Sequence, residues 1–306
     1  MVHLAVHAAL VFALAPLLQG IVNRTKAWFA GRRGPPLAQP YFDLWRLLAK
    51  GAVYSTTTTV VFRLAPVVAL AALLTTGLLV PMGGWPAPLA FAGDLFLVAG
   101  LLALARFALV LAALDTGSSF TGMGASREVW FAALAEPALL VSLAALARGL
   151  RHDLAHDSLS AIYGAMSPAT FTAGAPFLLL VAGALLLVFL AENGRIPVDD
   201  PNTHLELTMI HEVMILDHSG PDLAFLLYGQ ALKLQILGVL LVGVLLPVRT
   251  GVAALDLALA VAGLVLLAVA VGCIESLLAR LRLARVAQML TWAGALAVAA
   301  LVLEVS

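Results

Sequence analysis

The sequence predicts an all-α integral membrane protein: one bundle of about eight transmembrane helices, with amphipathic helices in its cytoplasmic loops. Three observations predict it. Of 306 residues, 62% are hydrophobic and only 11% are charged, where a soluble domain carries roughly 25% charged residues. Mean hydropathy is +1.04. The apolar residues also gather into runs close to the ~20 residues that a spanning helix needs. Net charge is zero, so bulk charge points to no nucleic-acid partner.

The spans fall at about 4–22, 60–82, 89–114, 128–148, 174–191, 223–247, 252–274 and 287–304. The first lacks a basic stretch before it and is followed by Arg24, Lys26, Arg32 and Arg33, so it is expected to be a retained helix rather than a cleaved signal peptide. In the loop after it, Arg32-Arg33-Gly34-Pro35-Pro36 forms a rigid charged turn, and FDLWRLLAKG suggests a short amphipathic helix. That helix serves either as a lipid-headgroup anchor or as a dock for a hydrophilic partner. The second and third spans carry Arg63, Asp94 and Arg106, the fourth Glu136 beside Pro137, the sixth Lys233 and the seventh Asp256. Ionisable groups inside a membrane are costly and functional by default. Asp94 and Asp256 sit near outer ends, where water can reach them, and Arg63 can snorkel. Arg106, Glu136 and Lys233 are deep, and they read as a functional polar chain that is compatible with structural pairing.

Lysine and arginine orient the bundle. One side, with segments 23–59, 115–127, 192–222 and 275–286, holds eleven of them, against Arg148, Arg151 and Arg249 on the other. The rule places the basic side in the cytoplasm and both termini outside, in the cell (inner) membrane. No internal repeat, low-complexity linker or second domain interrupts residues 1–306. The one cysteine, Cys273, cannot hold an iron–sulfur cluster or a nickel–iron centre. Such chemistry, where present, lies in a partner.

The loop AENGRIPVDDPNTHLELTMIHEVMILDHSG (191–220) holds six of the 17 acids and three of the seven histidines but only Arg195 as a base. Gly194 and Pro197 break the span before it. Asp199, Asp200 and Asn202 can cap a helix begun in this loop, with Pro201 near its start. HLELTMIHEVMILDH is expected to be that helix, and an amphipathic one. His204, His211 and His218 recur every seven residues, about 10 Å apart at 1.5 Å per residue, too far apart for one zinc ion, and HEVMI is not HExxH. A solvated cap is the simplest reading. The alternative is an acid cluster whose mutual repulsion raises some pKa values toward neutrality and suits proton uptake.

Four stretches, in order, carry a resemblance: GRRGPPLAQPYFDLWRLLAK (31–50), LDTGSSFTGMGASREVWFAALAEP (114–137), AENGRIPVDDPNTHLEL (191–207) and ESLLARLRLARVAQMLTW (275–292). The chain resembles the membrane subunit shared by respiratory complex I, where it is subunit 1, and group 4 membrane-bound nickel–iron hydrogenases. Its details are similar to the hydrogenase branch, with formate hydrogenlyase subunit 4. The resemblance implies a non-catalytic anchor and coupling subunit without its own metal, cluster or active site. It implies iron–sulfur and large hydrogenase-like partner subunits on the cytoplasmic side, antiporter-like membrane neighbours, and electron transfer linked to proton or sodium movement. A quinone-binding role, as in a complex I-type NADH:quinone oxidoreductase, is the alternative; a stand-alone transporter and a purely structural anchor are two more. By matching position, the candidate proton-relay residues are Glu136 tuned by Arg127, then Glu192, Asp199, Glu206 and Glu212; Asp200 in the same acidic loop and the deep Lys233 are candidates beside them. The candidate docking residues are Arg32, Arg33, Asp43, Arg46, Arg195, Arg280, Arg282 and Arg285.

Overall fold

The computed structural model describes residues 2–153, 156–199, 209–247 and 249–305. Long apolar runs fold as helices because bilayer hydrocarbon offers no partner for backbone N–H and C=O groups. The helices are α1 (Val2–Phe29), α2 (Gln39–Leu48), α3 (Val60–Leu79), α4 (Asp94–Asp115), α5 (Ser119–Gly149), α6 (Leu159–Gly164), α7 (Pro168–Ala173), α8 (Ala175–Glu192), α9 (His211–Ile215), α10 (Gly220–Leu245), α11 (Ala253–Leu277) and α12 (Leu283–Val305). Eight of these are long and apolar enough to cross a membrane: α1, α3, α4, α5, α8, α10, α11 and α12. Each corresponds to one expected span.

The centre of the bundle is α10, which packs on α1, α2, α3, α8 and α11. Its most apolar window is 67% buried, against 28% for α12. α12 instead closes one side against α5 and α8, and α4 lies between α3 and α5. The loops with most of the lysine and arginine cluster at one end, the basic end. There Thr59 caps α3 and clasps α4 as well: its N–H and hydroxyl both donate to Asp115, at 2.6 and 2.8 Å. α2 lies at the same end. None of its residues is buried, and Phe42, Trp45 and Leu48 are exposed with Arg46, as expected for an interfacial helix.

Three expectations change. The loop expected at 115–127 shrinks to 116–118, because α5 begins at Ser119. TGMGAS is small and uncharged, so the helix extends without showing in hydropathy, and it takes Arg127 and Glu128 with it. Asp94 and Asp256 are buried rather than wet. Asp94 accepts from the Leu159 N–H at 2.6 Å and Asp256 from the Thr250 N–H and hydroxyl, both at 2.7 Å, so both acids cap loops at the far end. The long helix expected over 204–218 is only His211–Ile215 among the described residues; His204, Asp200 and Glu206 lie outside them.

Candidate functional site

Arg106, midway along α4, is the hub of a buried ion network. Its Nε lies 3.1 Å from Glu128 of α5, and its other two nitrogens contact Glu136 of α5 and Glu192 at the end of α8. Lys233 of α10 reaches the same Glu192 oxygen at 2.8 Å. An unpaired charge at membrane depth costs about 3 kcal/mol or more, so four helices converge here because each charged side chain needs a partner. Glu136 is the exception to full burial: its side chain is 41% exposed. It opens into a groove between α4 and α5 lined by Gly100, Ala103, Phe107, Ala132 and Ala133. Pro137 has no N–H, so the Ala133 carbonyl in this groove lacks its helical partner.

His211 completes the network. Its Nδ1 lies 3.1 Å from Glu128 Oε2, an ion-pair distance rather than a well-aligned hydrogen bond. Its Nε2 lies 3.3 Å from the Glu192 carbonyl. Asp199 sets the ring's place by accepting the Ile210 and His211 N–H groups at 3.0 and 3.2 Å. Two glycines give it room. A Cβ on Gly124 would sit 2.2 Å from Val213 of α9, and one on Gly194, where φ is +55°, would sit 3.0 Å from the imidazole. Burial alone would lower the His211 pKa, but the Glu128 carboxylate outweighs it and holds the ring above its ordinary value. With its three carboxylates ionised against Arg106 and Lys233, the network is neutral when His211 carries a proton.

At the basic end, a cavity of about 260 Å³ lies between α1, α2, the 193–199 segment, α9 and α10. His211 forms one wall. Gln19 and Arg195 also line the cavity, and they belong to a second network. There Glu275 of α11, its side chain fully buried, lies 2.6 Å from Lys26 and 3.2 Å from Arg195, which also binds Gln19.

The expected site residues divide accordingly. Glu136 and Glu192 meet at Arg106, and Lys233 joins them through Glu192. Arg127 does not reach Glu136; it donates to the Met209 carbonyl at 3.0 Å. Nine residues are about two and a half helical turns, so the two side chains leave α5 on opposite sides. Asp199 is buried, and Arg280 stands 3.5 Å from it, so Asp199 is a cap rather than an open acid. Glu212 lines the cavity. Among the docking candidates, Arg32, Arg33, Asp43, Arg46, Arg282 and Arg285 are exposed. Arg195 is buried on Glu275 and Arg280 is mostly buried on Asp199, so neither is free to meet a partner. Sequence reasoning misses Glu128, Glu275 and Lys26. Glu128 carries a signal: it precedes Glu136 by eight residues, a spacing that keeps both on one side of a helix.

A family model described as NADH dehydrogenase matches residues 1–305. Formate hydrogenlyase subunit 4 of Escherichia coli (strain K12) is 32% identical over 295 residues, which cover 94% of this chain and 93% of that protein. Hydrogenase-4 component C of the same organism is 35% identical over 243 residues, 78% of this chain and 73% of that one. The fold matches a chain of the membrane-bound sulfane sulfur reductase, an archaeal respiratory membrane complex, with a TM-score of 0.80 and 19% identity, covering 99% of this chain and 98% of the other. With eight apolar spans, a buried charge hub and these relatives, the chain belongs to the NADH dehydrogenase subunit 1 family, as a multi-pass membrane subunit of a complex I-related, hydrogenase-like complex.

Proposed function

We propose that the chain anchors a soluble electron-transfer module at its basic end and carries protons laterally through the Arg106 network toward a neighbouring membrane subunit. The supporting observation is the continuity of that network, from the cavity wall at His211 through Glu128, Arg106 and Glu192 to the half-exposed Glu136. Charges that only stabilise a bundle would be closed off on all sides. Here one end meets a polar cavity and the other a groove on the bundle's flank. In this reading the basic end faces the cytoplasm and both termini lie outside. Arg32, Arg33, Arg46, Arg282 and Arg285 contact an iron–sulfur subunit and a large hydrogenase-like subunit, which hold the clusters and any nickel–iron centre, and an antiporter-like subunit covers the α4–α5 groove. The test replaces Glu136 by Gln in the assembled complex reconstituted into liposomes. Translocation per electron falls at least tenfold at equal complex abundance; an unchanged ratio removes the relay. Purification of the complex without an iron–sulfur partner removes the anchoring role.

A second reading is quinone binding, which the cavity favours. Its walls mix apolar Pro16, Leu44 and Leu227 with Gln19, Arg195 and His211, the combination that a polar ring with an apolar tail needs. Quinone reduction by the intact complex, sensitive to substitution at Leu44, separates this reading from the first.

A further inference from the structure

The cavity at the basic end is not the only hollow beside the network. A second pocket, about 60 Å³, lies among α3, α4, α5, α9 and α10 and is lined by Arg106, Glu128 and Lys233 among apolar side chains. The two hollows share two wall residues, His211 and Gln230. The Gln230 amide cannot hold a proton near neutral pH, whereas an imidazole can. Of the two described residues that line both hollows, His211 is the one that can pass a proton between them.

We propose, resting on the relay reading above, that His211 is the proton-transfer residue through which the cavity feeds the buried carboxylates. Its ring sits where that role requires: one face on the cavity, Nδ1 toward Glu128, Nε2 toward the Glu192 carbonyl. Glu128 holds the ring pKa above the ordinary histidine value, which favours its charged form. In the step, the Nδ1–H bond breaks and an O–H bond forms on Glu128 Oε2. The imidazolium and carboxylate charges cancel together, so no net charge is left behind in the apolar surroundings. A small rotation of the ring brings the 3.1 Å contact into line. The neutral ring then takes a proton from a hydronium ion in the cavity and leaves water. The proton on Glu128 moves on to Glu136 or Glu192, which share the Arg106 guanidinium with it. The other groups around the ring are Lys233 on α10, Asp199 before α9, and Glu212 beside it on the cavity. Arg195 also lines that cavity, paired with Glu275.

The experiment uses the assembled complex in liposomes and reads protons moved per electron transferred, from pH 5.5 to 9. In the wild type the ratio declines as the pH rises through the ring's pKa. In His211→Gln it falls at least tenfold and loses that pH dependence. In His211→Gly it is restored in part by millimolar imidazole, which the 260 Å³ cavity can admit; a low ratio that imidazole leaves unchanged makes the ring structural and overturns the proposal. If the His211 variants do not accumulate, Glu128→Asp serves. It keeps the charge but withdraws the acceptor by one methylene, and a full wild-type ratio in it also overturns the proposal. The two readings fail differently. If Glu136→Gln stops translocation while His211→Gln pumps normally, only the histidine step is lost. If the wild-type complex moves no protons, both are.

Discussion

The two charge networks that reach the cavity, one through His211 and one through Arg195, carry opposite charge arithmetic. On the His211 side, three carboxylates face two permanent cations, and the balance depends on a proton on the ring. On the Arg195 side, one carboxylate, Glu275, faces two permanent cations, Lys26 and Arg195. Either cation alone offsets the charge of Glu275. The three-acid set is one permanent cation short, and His211 is the group beside it that can supply the missing charge. Burial and ion pairing are common to both networks, so neither feature alone marks a proton path. The count of acids over permanent bases separates the network that can exchange protons from the network that braces α1, α8 and α11.

The largest effect is expected where the bracing network is broken. Glu275→Ala leaves Lys26 and Arg195 unpaired, with Arg195 buried. Removing one partner of a buried pair costs about 3–5 kcal/mol, so the variant's thermal unfolding in detergent shifts sharply down and its yield in membranes falls. If Glu275→Ala melts like the wild type while Glu136→Gln loses stability, the assignment of the two networks is reversed. Gly124→Ala comes next. The new methyl would sit 2.2 Å from Val213 and 3.0 Å from the Ile210 carbonyl, so α9 must lift from α5. Overpacking of this kind costs about 1–3 kcal/mol. The shift also carries His211 away from Glu128, so translocation declines more steeply than stability. Equal losses in the two readouts show that α9 need not be seated for the relay to run.

Much of this is legible in the sequence, and the gaps have physical reasons. All eight spans can be read because transfer to hydrocarbon rewards apolar length directly. Arg106, Glu136 and Lys233 stand out as charges at depth. Their grouping around one guanidinium does not, since α4, α5, α8 and α10 meet only in three dimensions. Glu128 is hidden by the start of α5: with 115–127 read as a loop, it falls at a membrane surface. Pairing Arg127 with Glu136 follows from matching a motif, whereas helical geometry sets them on opposite sides. Glu275 and Lys26 sit at expected loop edges, where charge is ordinary. The heptad of His204, His211 and His218 suggests equivalent positions on one long helix. The described part is five residues, with His211 at its start and His218 beyond its end, and their surroundings differ accordingly.

Those two histidines supply the finest division between exchanging and bracing roles. His211 meets Glu128 and its pKa is raised; His218 stacks on Phe62 at 3.9 Å with neither ring nitrogen bonded, and burial lowers its pKa despite Asp222 and Asp217 nearby. Stability rises with pH wherever the unfolded state binds more protons than the folded one. For His211 the folded state binds more, so its contribution is full below the unfolded value of about 6.5 and is lost as pH rises through the higher folded value. For His218 the unfolded state binds more, so stability is lost as pH falls below about 6.5 toward the lower folded value. Melting temperatures of the purified complex across pH 5 to 9 therefore have an acid limb belonging to His218 and an alkaline limb belonging to His211. His218→Leu flattens the first and leaves the second, and His211→Gln does the reverse. If one variant flattens both limbs, the histidines titrate as a coupled pair and the division between them collapses.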